Sequence, residues 1–341
     1  MTLPTILPAP RTPDPMDAPP LRWGVLGTGW IAEQFVAAVQ AGTRQQVHAV
    51  GSRTEAAAEA FAVRVGATAA YGSYEALVAD PKVDVVYVAT PHNFHHPNAR
   101  LALEAGKHVV VEKPMGLDAA QCQDLAELAR GRGLFLMEAL WTLFLPKFDV
   151  IRQLLELGAL GTVHSVIADM GEHFEPNHRI MRADLAGGPL YDLGTYPVML
   201  ATWVLGEPVE VTALGARAPS ELSADGVNGQ TAALLRTAAG GVAAVHVSLL
   251  GDSPTTATIV GSEATLTIDG PFYQPGGFTV TDTDGRALRW EEPAVAHAGL
   301  HFEAAEAARR ITAGETSSPL RPMDDTIATM SALDAVRARL S

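Results

Sequence analysis

The feature that most constrains this chain is a short run of valines that leads directly into charged residues. Residues 109–111 are all valine, and Glu112, Lys113 and Pro114 follow them. Consecutive β-branched residues are typical of a strand that is buried on both faces of a parallel sheet. In open α/β sheets, ligands bind in the crevice at the carboxyl ends of such strands. The sequence therefore predicts that Lys113 lies beside the chemistry.

Short apolar runs alternate with helical patterns from residue 21 to about residue 140. This alternation predicts an α/β fold of the Rossmann type, with a doubly wound parallel sheet. The predicted nucleotide-binding domain covers residues 21–141. Residues 1–20 contain seven prolines, and we expect them to be a disordered, proline-rich leader.

The pattern changes in residues 142–341, where short strands are joined by tight turns. Hairpin-joined strands pair antiparallel, so we expect an α+β domain with a large, mostly antiparallel open sheet. Two closing helices are expected at 300–311 and 324–340, the last of which packs back on the first domain. The strands are predicted at 163–169, 209–215, 231–235, 242–249, 256–260, 265–268 and 278–281.

Composition argues against several classes of function. The net charge of −14 disfavours nucleic acid as a partner, since phosphates require clustered lysines and arginines. No apolar run approaches the roughly 20 residues that cross a bilayer, so no membrane partner is expected. The single cysteine, Cys122, permits no internal disulfide and suits a reducing, cytoplasmic location.

A glycine-rich turn follows the first predicted strand. Its spacing, Gly-x-Gly-x-x-Ala, permits a tight turn and leaves room for a pyrophosphate at the N-terminus of the next helix. The motif predicts a dinucleotide site, with a plain strand–helix turn as the alternative. The residues predicted to bind the cofactor here are Gly27, Thr28, Gly29, Trp30 and Ile31.

The end of the second predicted strand distinguishes between the two nicotinamide dinucleotides. Ser52 and Arg53 stand where an NAD enzyme usually has an acid for the ribose 2′-hydroxyl. An arginine suits a 2′-phosphate, so NADP is favoured, with NAD as the alternative cofactor. Arg53 could otherwise be a solvated surface residue.

A histidine-rich loop follows the strand before the valine run. His92, His95 and His96 lie within five residues, but no second ligand cluster is nearby in sequence, and no metal site is predicted. We expect Thr90, Pro91 and His95 near the nicotinamide half of the cofactor. For His92 and His96 the alternative is a surface position at a helix end.

These motifs, in this order, resemble those of the Gfo/Idh/MocA oxidoreductases. The matching segments are 27–32, Thr90-Pro91 with His95, 105–109 leading to Glu112-Lys113-Pro114, and 187–196. Within that family, residues 137–146 resemble the branch of dimeric dihydrodiol dehydrogenase and NADP-dependent D-xylose dehydrogenase. The chain departs from that branch at Leu143, a position that is often arginine.

The resemblance implies hydride transfer between nicotinamide C4 and a secondary or anomeric hydroxyl of a sugar, polyol or diol. Lys113, Asp192 and Tyr196 are the implied catalytic residues. An ammonium group close to a phenol lowers the phenol's pKa, so Lys113 would help Tyr196 to manage the proton. Asp192 and Tyr196 are four residues apart in a helix predicted at 188–205, which puts them on one face unless Pro197 kinks it.

Other implied contacts follow from the same resemblance. Trp141 and Arg179 would contact the substrate together with Asp192 and Tyr196, and Glu112 would have a structural or cofactor-side role. The Lys113–Pro114 peptide bond is expected to be cis. Without the resemblance, Tyr196 would be interpreted as core packing, Asp192 as a helix cap and Arg179 as surface charge.

Two features of the resemblance concern assembly and chemistry. The open face of the second sheet implies a homodimer or homotetramer. Some members of the family keep NAD bound and hydrolyse glycosides through transient oxidation, which is one alternative function. A non-catalytic NAD(P)-binding sensor is the other.

Overall fold

A computed structural model describes residues 3–224, 226–293 and 299–340. The chain divides into two compact units, each of which is described by itself. The first unit comprises Pro13–Phe144 and His297–Ile327, and the second comprises Met1–Thr12, Leu145–Ala296 and Ala328–Ser341.

The first unit is built on a parallel sheet of six strands. These are β1 (Arg22–Leu26), β2 (Gln46–Gly51), β3 (Ala69–Tyr71), β4 (Val85–Val88), β5 (His108–Glu112) and β6 (Leu136–Ala139). Their order is β3-β2-β1-β4-β5-β6, so the strand order reverses between β1 and β4, where doubly wound folds bind their ligands. The valine run lies in β5 and is fully buried, which confirms the predicted parallel strand.

Five helices of the first unit connect these strands. They are α1 (Trp30–Gly42), α2 (Glu55–Val65), α3 (Tyr74–Val78), α4 (His95–Glu104) and α5 (Ala119–Arg132). Asp118 caps α5 by accepting the Gln121 N–H at 2.8 Å. The side chain of Gln121 reaches back to the N–H of Leu117 at 3.0 Å, one residue before the cap.

The second unit contains a sheet of eight strands. They are β7 (Val163–Gly171), β8 (Pro208–Arg217), β9 (Asn228–Thr237), β10 (Val242–Ser248), β11 (Ala257–Gly261), β12 (Ala264–Ile268), β13 (Phe278–Asp282) and β14 (Ala287–Trp290). The order is β14-β13-β12-β11-β7-β10-β9-β8, and every neighbouring pair except β7 with β10 is antiparallel. The seven predicted strands and the mostly antiparallel sheet are confirmed. The edge strand β14 is an addition.

One face of this second sheet is open among the described residues. Ile167 and Leu234 are each 54% exposed and both lie in register with Ala244 of β10, on the same face. Leu214 pairs with Ala232, two residues before Leu234, and is 77% exposed. Residues that alternate with these, such as Leu235, are buried. A row of apolar side chains therefore remains on the outer face.

The helix predicted at 188–205 is wrong as a single element. The structure has α6 (Pro146–Glu156), and then α7 (Pro189–Asp192) and α8 (Thr195–Leu205) with a break between them. Gly194 donates its N–H to the carbonyl of Pro189 at 2.8 Å, which closes α7. Pro197 falls in the first turn of α8, where a missing N–H removes no helical hydrogen bond. Within one continuous helix its ring would crowd the preceding turn.

The last two helices are α9 (Leu300–Thr312) and α10 (Met323–Arg337). In the first unit α9 packs against α1, and residues of α10 are divided between the two units. Along the described chain, no helix combines the length and the apolar character that a bilayer crossing requires.

Residues 3–20 make specific contacts where a disordered leader was expected. In the second unit, Arg11 donates its main-chain N–H to Asp149 at 2.6 Å and pairs with it through the guanidinium at 2.9 Å. In the first unit, Ala18 is buried against α9. Proline content disfavours helices and strands, but it leaves an extended segment free to form such side-chain contacts.

Lys147, in the first turn of α6, is completely buried. Its Nζ has no hydrogen-bond partner among the described residues. Burial lowers the pKa of Lys147 to about 8, although the charges of Glu292 and Asp269 act in the opposite direction. The ammonium form therefore destabilises the folded state at neutral pH.

We expect Lys147→Met to raise the free energy of unfolding at pH 7 by on the order of 3 kcal/mol. Because the folded pKa is depressed, the wild type loses stability as pH falls from about 10.5 to about 8, and the loss is complete below about 8. The gain should shrink as pH rises from 8 and vanish above the unfolded pKa of about 10.5. Urea unfolding at pH 7 and pH 10 measures it. The exposed Lys82→Met serves as control, and equal or lower stability of Lys147→Met at pH 7 would contradict the prediction.

Candidate active site

The glycine-rich turn after β1 has the geometry that a pyrophosphate needs. Gly27 has φ of 105°, and a Cβ at this position would lie 2.5 Å from the carbonyl oxygen of Ala89. Gly29 is the N-cap of α1, and a Cβ there would meet no atom within 4 Å. As a glycine, Gly29 has no side chain that could cap the N-terminus of α1. The residues therefore fit an anionic group at this helix N-terminus.

The neighbouring turn residues differ in exposure. Trp30 is 61% exposed, whereas Thr28 and Ile31 are half-buried. At the end of β2, Ser52 is buried and donates its N–H to the carbonyl of Tyr71 at 3.0 Å. These residues all lie at the carboxyl edge of the sheet.

Arg53 is exposed at the start of the loop after β2. Burial raises the pKa of the Tyr74 phenol, and the charge of Arg53 opposes this rise, so the guanidinium lies near that ring. No carboxylate among the described residues forms an ion pair with Arg53. Its charge is therefore available to an anionic ligand.

His95 connects the loops that follow β4 and β5. It is 1% exposed, and its ring nitrogens bond to the carbonyl oxygens of Thr90 and Pro114, each at 2.7 Å. Both ring nitrogens are thus engaged by the main chain. Pro91 is the residue between Thr90 and the short 3₁₀ turn at His92–Phe94.

The other two histidines of this loop have different surroundings. His92 is only 4% exposed, which differs from the surface position that was its alternative. His96 lies 2.8 Å from a carboxylate oxygen of Asp124. No group of three histidine, cysteine, aspartate or glutamate side chains that could bind a metal occurs in the described ranges.

Residues 113–115, the Lys113 loop, are held by buried side chains. Glu112 accepts the N–H of Lys113 at 3.1 Å with one oxygen and the hydroxyl of Tyr87 with the other. Glu138, at the end of β6, accepts the N–H of Met115 at 3.1 Å. His95 bonds to the carbonyl between them. The Lys113–Pro114 bond is cis, as the resemblance implied.

A third buried acid lies close to this loop. Glu303 of α9 is fully buried, and neither carboxyl oxygen has a hydrogen-bond partner among the described residues. Burial raises the pKa of Glu303 well above its usual value, and the charge of Glu112 raises it further. The neutral acid is therefore favoured, so α9 adds no second negative charge beside Glu112.

Trp141 follows β6 in a 3₁₀ turn at Trp141–Phe144 and is 3% exposed. In the first unit α9 packs against this turn. Leu143, which stands where an arginine was expected from the branch, is also buried. An arginine side chain would need a buried partner at that position, whereas leucine needs none.

In the second unit the structure brings Arg179 and Asp192 together. Their side chains form an ion pair of 2.8 Å between Nη2 and Oδ2. Asp192 ends α7 and is largely buried, and Tyr196 lies in the first turn of α8 and is 5% exposed. The two residues belong to separate helices, so the argument from one shared helical face does not apply.

Tyr273 was missed from the sequence and lies at the same place. Its ring stacks on that of Tyr196, with centroids 4.3 Å apart and an interplanar angle of 27°. Burial raises the pKa of Tyr273, and the charges of Glu172 and Asp192 add to this, although the side chain of Gln274 bonds to its hydroxyl. An aromatic pair beside a carboxylate is suited to a polyhydroxylated ring. The signal was an aromatic residue in a connection rich in glycine and proline.

The predicted site residues thus fall into two groups. Lys113, Trp141 and the predicted cofactor contacts belong to the first unit, and Arg179, Asp192 and Tyr196 belong to the second.

Two family models match the chain. Residues 21–140 match the model described as an oxidoreductase family with an NAD-binding Rossmann fold. Residues 148–267 match the model of the GFO/IDH/MocA C-terminal domain. Together these segments include the predicted cofactor turn, the Lys113 loop, Asp192 and Tyr196.

Characterised relatives extend over nearly the whole chain. The D-xylose 1-dehydrogenase (NADP(+)) of Hypocrea jecorina is 35% identical, over 92% of this chain and 90% of that relative. The trans-1,2-dihydrobenzene-1,2-diol dehydrogenase of Macaca fuscata fuscata is 33% identical, over 93% and 96%. A 3-ketoreductase from Actinomadura kijaniata, solved with NADP and TDP-benzene, has 30% identity and a TM-score of 0.82, over 94% and 98%.

Both models are of the family that the motifs along the sequence resemble. The predicted oxidoreductase activity and nicotinamide dinucleotide cofactor are confirmed by the family models and by the relatives' names. The protein belongs to the Gfo/Idh/MocA family of oxidoreductases.

Proposed function

We propose that this protein is an NADP-dependent oxidoreductase. It transfers a hydride between nicotinamide C4 and a secondary or anomeric hydroxyl of a sugar, polyol or diol. The observation that carries the proposal is the Lys113 loop, which buried side chains hold at the carboxyl edge of a dinucleotide-binding sheet. The named activities of the two dehydrogenase relatives support the substrate class.

The cofactor preference rests on residues at the ends of β1 and β2. The space beside Gly29 and the uncapped N-terminus of α1 suit a pyrophosphate. Arg53 supplies positive charge for a 2′-phosphate, and no acid stands beside it for a 2′-hydroxyl. When bound, the dinucleotide supplies the hydride acceptor or donor.

Lys113 and Tyr196 manage the proton in this proposal. A phenol normally titrates near 10, too high for a base at neutral pH. An ammonium group favours the phenolate, so Lys113 supplies the charge that activates Tyr196 and also hydrogen-bonds the reacting hydroxyl. Structures of the related ketoreductase include variants in which one lysine or one tyrosine is replaced, the residue types proposed here.

Asp192 and Arg179 orient the substrate. Asp192 is held by its ion pair with Arg179, and in this proposal its carboxylate accepts substrate hydroxyls or orients Lys113. Tyr273, stacked on Tyr196, holds the phenol ring in place and offers an apolar surface to the carbon face of a sugar. Trp141 is proposed as a further substrate contact.

A substrate screen tests the reaction class. Sugars, polyols and diols are offered with NADP or NAD, and the absorbance of the reduced nicotinamide is followed. Net NADPH formation from a free sugar or diol supports the proposal. Glycoside cleavage without net reduction supports instead the hydrolase that retains its dinucleotide.

Replacing Lys113 by Met, or Tyr196 by Phe, should lower kcat by about 100-fold or more, since general acid–base catalysis contributes roughly that much. Dinucleotide binding, followed by tryptophan fluorescence, should persist in both variants. The wild type should gain activity as pH rises through the ionisation of the proton acceptor, and Tyr196→Phe should lack this rise. Tyr191→Phe, on α7, is the matched control. Turnover within a few-fold of wild type in both variants would remove the assignment.

Arg53→Ala should raise the KM for NADP by about 10-fold or more, because a charge-assisted hydrogen bond contributes roughly 1.5–3 kcal/mol. The KM for NAD should change little, since NAD has no 2′-phosphate. Steady-state kinetics with each dinucleotide measure the ratio. Arg44→Ala, another exposed arginine of the first unit, controls for net charge. An equal effect on both cofactors would contradict the role given to Arg53.

The open face of the second sheet is proposed to form a homodimer interface, with a tetramer as the larger alternative. Ile167, Leu214 and Leu234 expose apolar side chains there, and such rows typically mark association sites. Leu234→Glu should therefore convert the assembly to monomers in light scattering after size-exclusion chromatography. Val63→Glu, at an equally apolar position that is 85% exposed on α2, should not. An unchanged mass for Leu234→Glu would exclude this face.

A further inference from the structure

Arg321 is a completely buried arginine in the connection between α9 and α10. Its Nε and Nη2 both donate to one oxygen of Glu138, at 3.1 and 2.7 Å. Its Nη1 donates to the carbonyl of Asp325 at 3.2 Å. The arginine thus joins the connection after α9 to the end of β6, across 183 residues of sequence.

Glu138 also contacts the Lys113 loop. It is 0% exposed, and the oxygen that does not face Arg321 accepts the N–H of Met115 at 3.1 Å. The hydroxyl of Thr326 lies 3.4 Å from the Glu138 oxygen that faces Arg321. Met115 stands two residues after Lys113. One carboxylate therefore ties together β6, the Lys113 loop and the connection before α10.

Stability alone is a weak reason for such an arrangement. Removing two charges from water costs several kcal/mol per ion, and apolar replacements of buried pairs are often neutral or stabilising. A buried carboxylate that needs two donors from Arg321 is, however, fixed in direction. The N–H of Met115 meets an acceptor whose position does not adapt to the loop.

We propose that Arg321 is a positioning residue for hydride transfer, which acts on Lys113 through Glu138 and the Met115 N–H. The inference rests on the proposed role of Lys113. Glu112 fixes the loop at the N–H of Lys113, and the Arg321–Glu138 pair fixes it two residues later. Displacement of a reacting group by about 1 Å can cost on the order of 100-fold in rate, so a remote anchor matters.

Arg321→Met and the double variant Glu138→Gln/Arg321→Met test the proposal. The single variant leaves Glu138 charged and unpaired, which can prevent folding, whereas the double variant removes both charges. Arg310→Met is the matched control, because Arg310 pairs with Glu306 of α9, whereas Glu138 pairs with Arg321. We measure the amide hydrogen exchange of a peptide that spans residues 113–118, together with kcat, the KM for NADP and the pH profile.

The expected result for the folded double variant is exchange at least tenfold faster in that peptide. A kcat at least tenfold lower, a KM for NADP within threefold of wild type and an alkaline shift of the pH profile should accompany it. If the Arg321–Glu138 pair had only a structural role, its removal would lower the melting temperature. The kcat would then not fall relative to the KM for NADP, and the pH profile would stay as in the wild type.

Wild-type exchange, kcat and pH profile in the folded double variant would overturn the proposal. Lys113→Met separates this outcome from failure of the proposed function. If Lys113→Met is inactive and the double variant is fully active, only the role of Arg321 fails. If Lys113→Met keeps its turnover, the proposed function fails and the role of Arg321 in catalysis fails with it, whatever the exchange data show.

Discussion

Main-chain groups that leave the sheet at the end of β5 must find hydrogen-bond partners without water, and the first unit is arranged around that need. Glu112 receives one N–H, Glu138 receives another and His95 bonds to the carbonyl between them. Using acids for this purpose brings carboxylates into a core where isolated charges are costly. Because of that cost each acid has a buried hydrogen-bond donor: Tyr87 donates to Glu112, and Arg321 donates to Glu138.

Much of the fold could be predicted because its strands differ so clearly in pattern. Fully buried runs such as 109–111 predict parallel strands, and alternating burial in β9 is typical of a sheet with one open face. The edge strand β14 is only four residues long and none of its residues is buried, and it was missed. The sequence predicted at most a kink near Pro197, whereas the structure has two separate helices. Pro197 is tolerated because it lies in the first turn of the second helix, α8. The leader is held by Arg11, whose partner Asp149 lies far along the chain.

The site was predictable to the extent that its residues follow strand ends or glycine turns. Lys113 and Gly29 are of this kind, because sheet topology fixes where a strand ends. Tyr273 and Arg321 are not, since each reaches its partner through tertiary packing across a long stretch of sequence. No local periodicity encodes such a meeting. Aromatic or charged residues in long connections are the available signal, and that signal has low specificity.

The three buried acids near β5 also bear on the charge of Lys113. Glu112 is hydrogen-bonded by Tyr87, and Glu138 is neutralised by Arg321. Burial favours the neutral form of Glu303. Glu138 and Glu303 therefore each have a means of compensation that does not involve Lys113. Under the proposed function, the ammonium of Lys113 acts on a phenol and a substrate hydroxyl, and Glu138 and Glu303 do not compete for its charge.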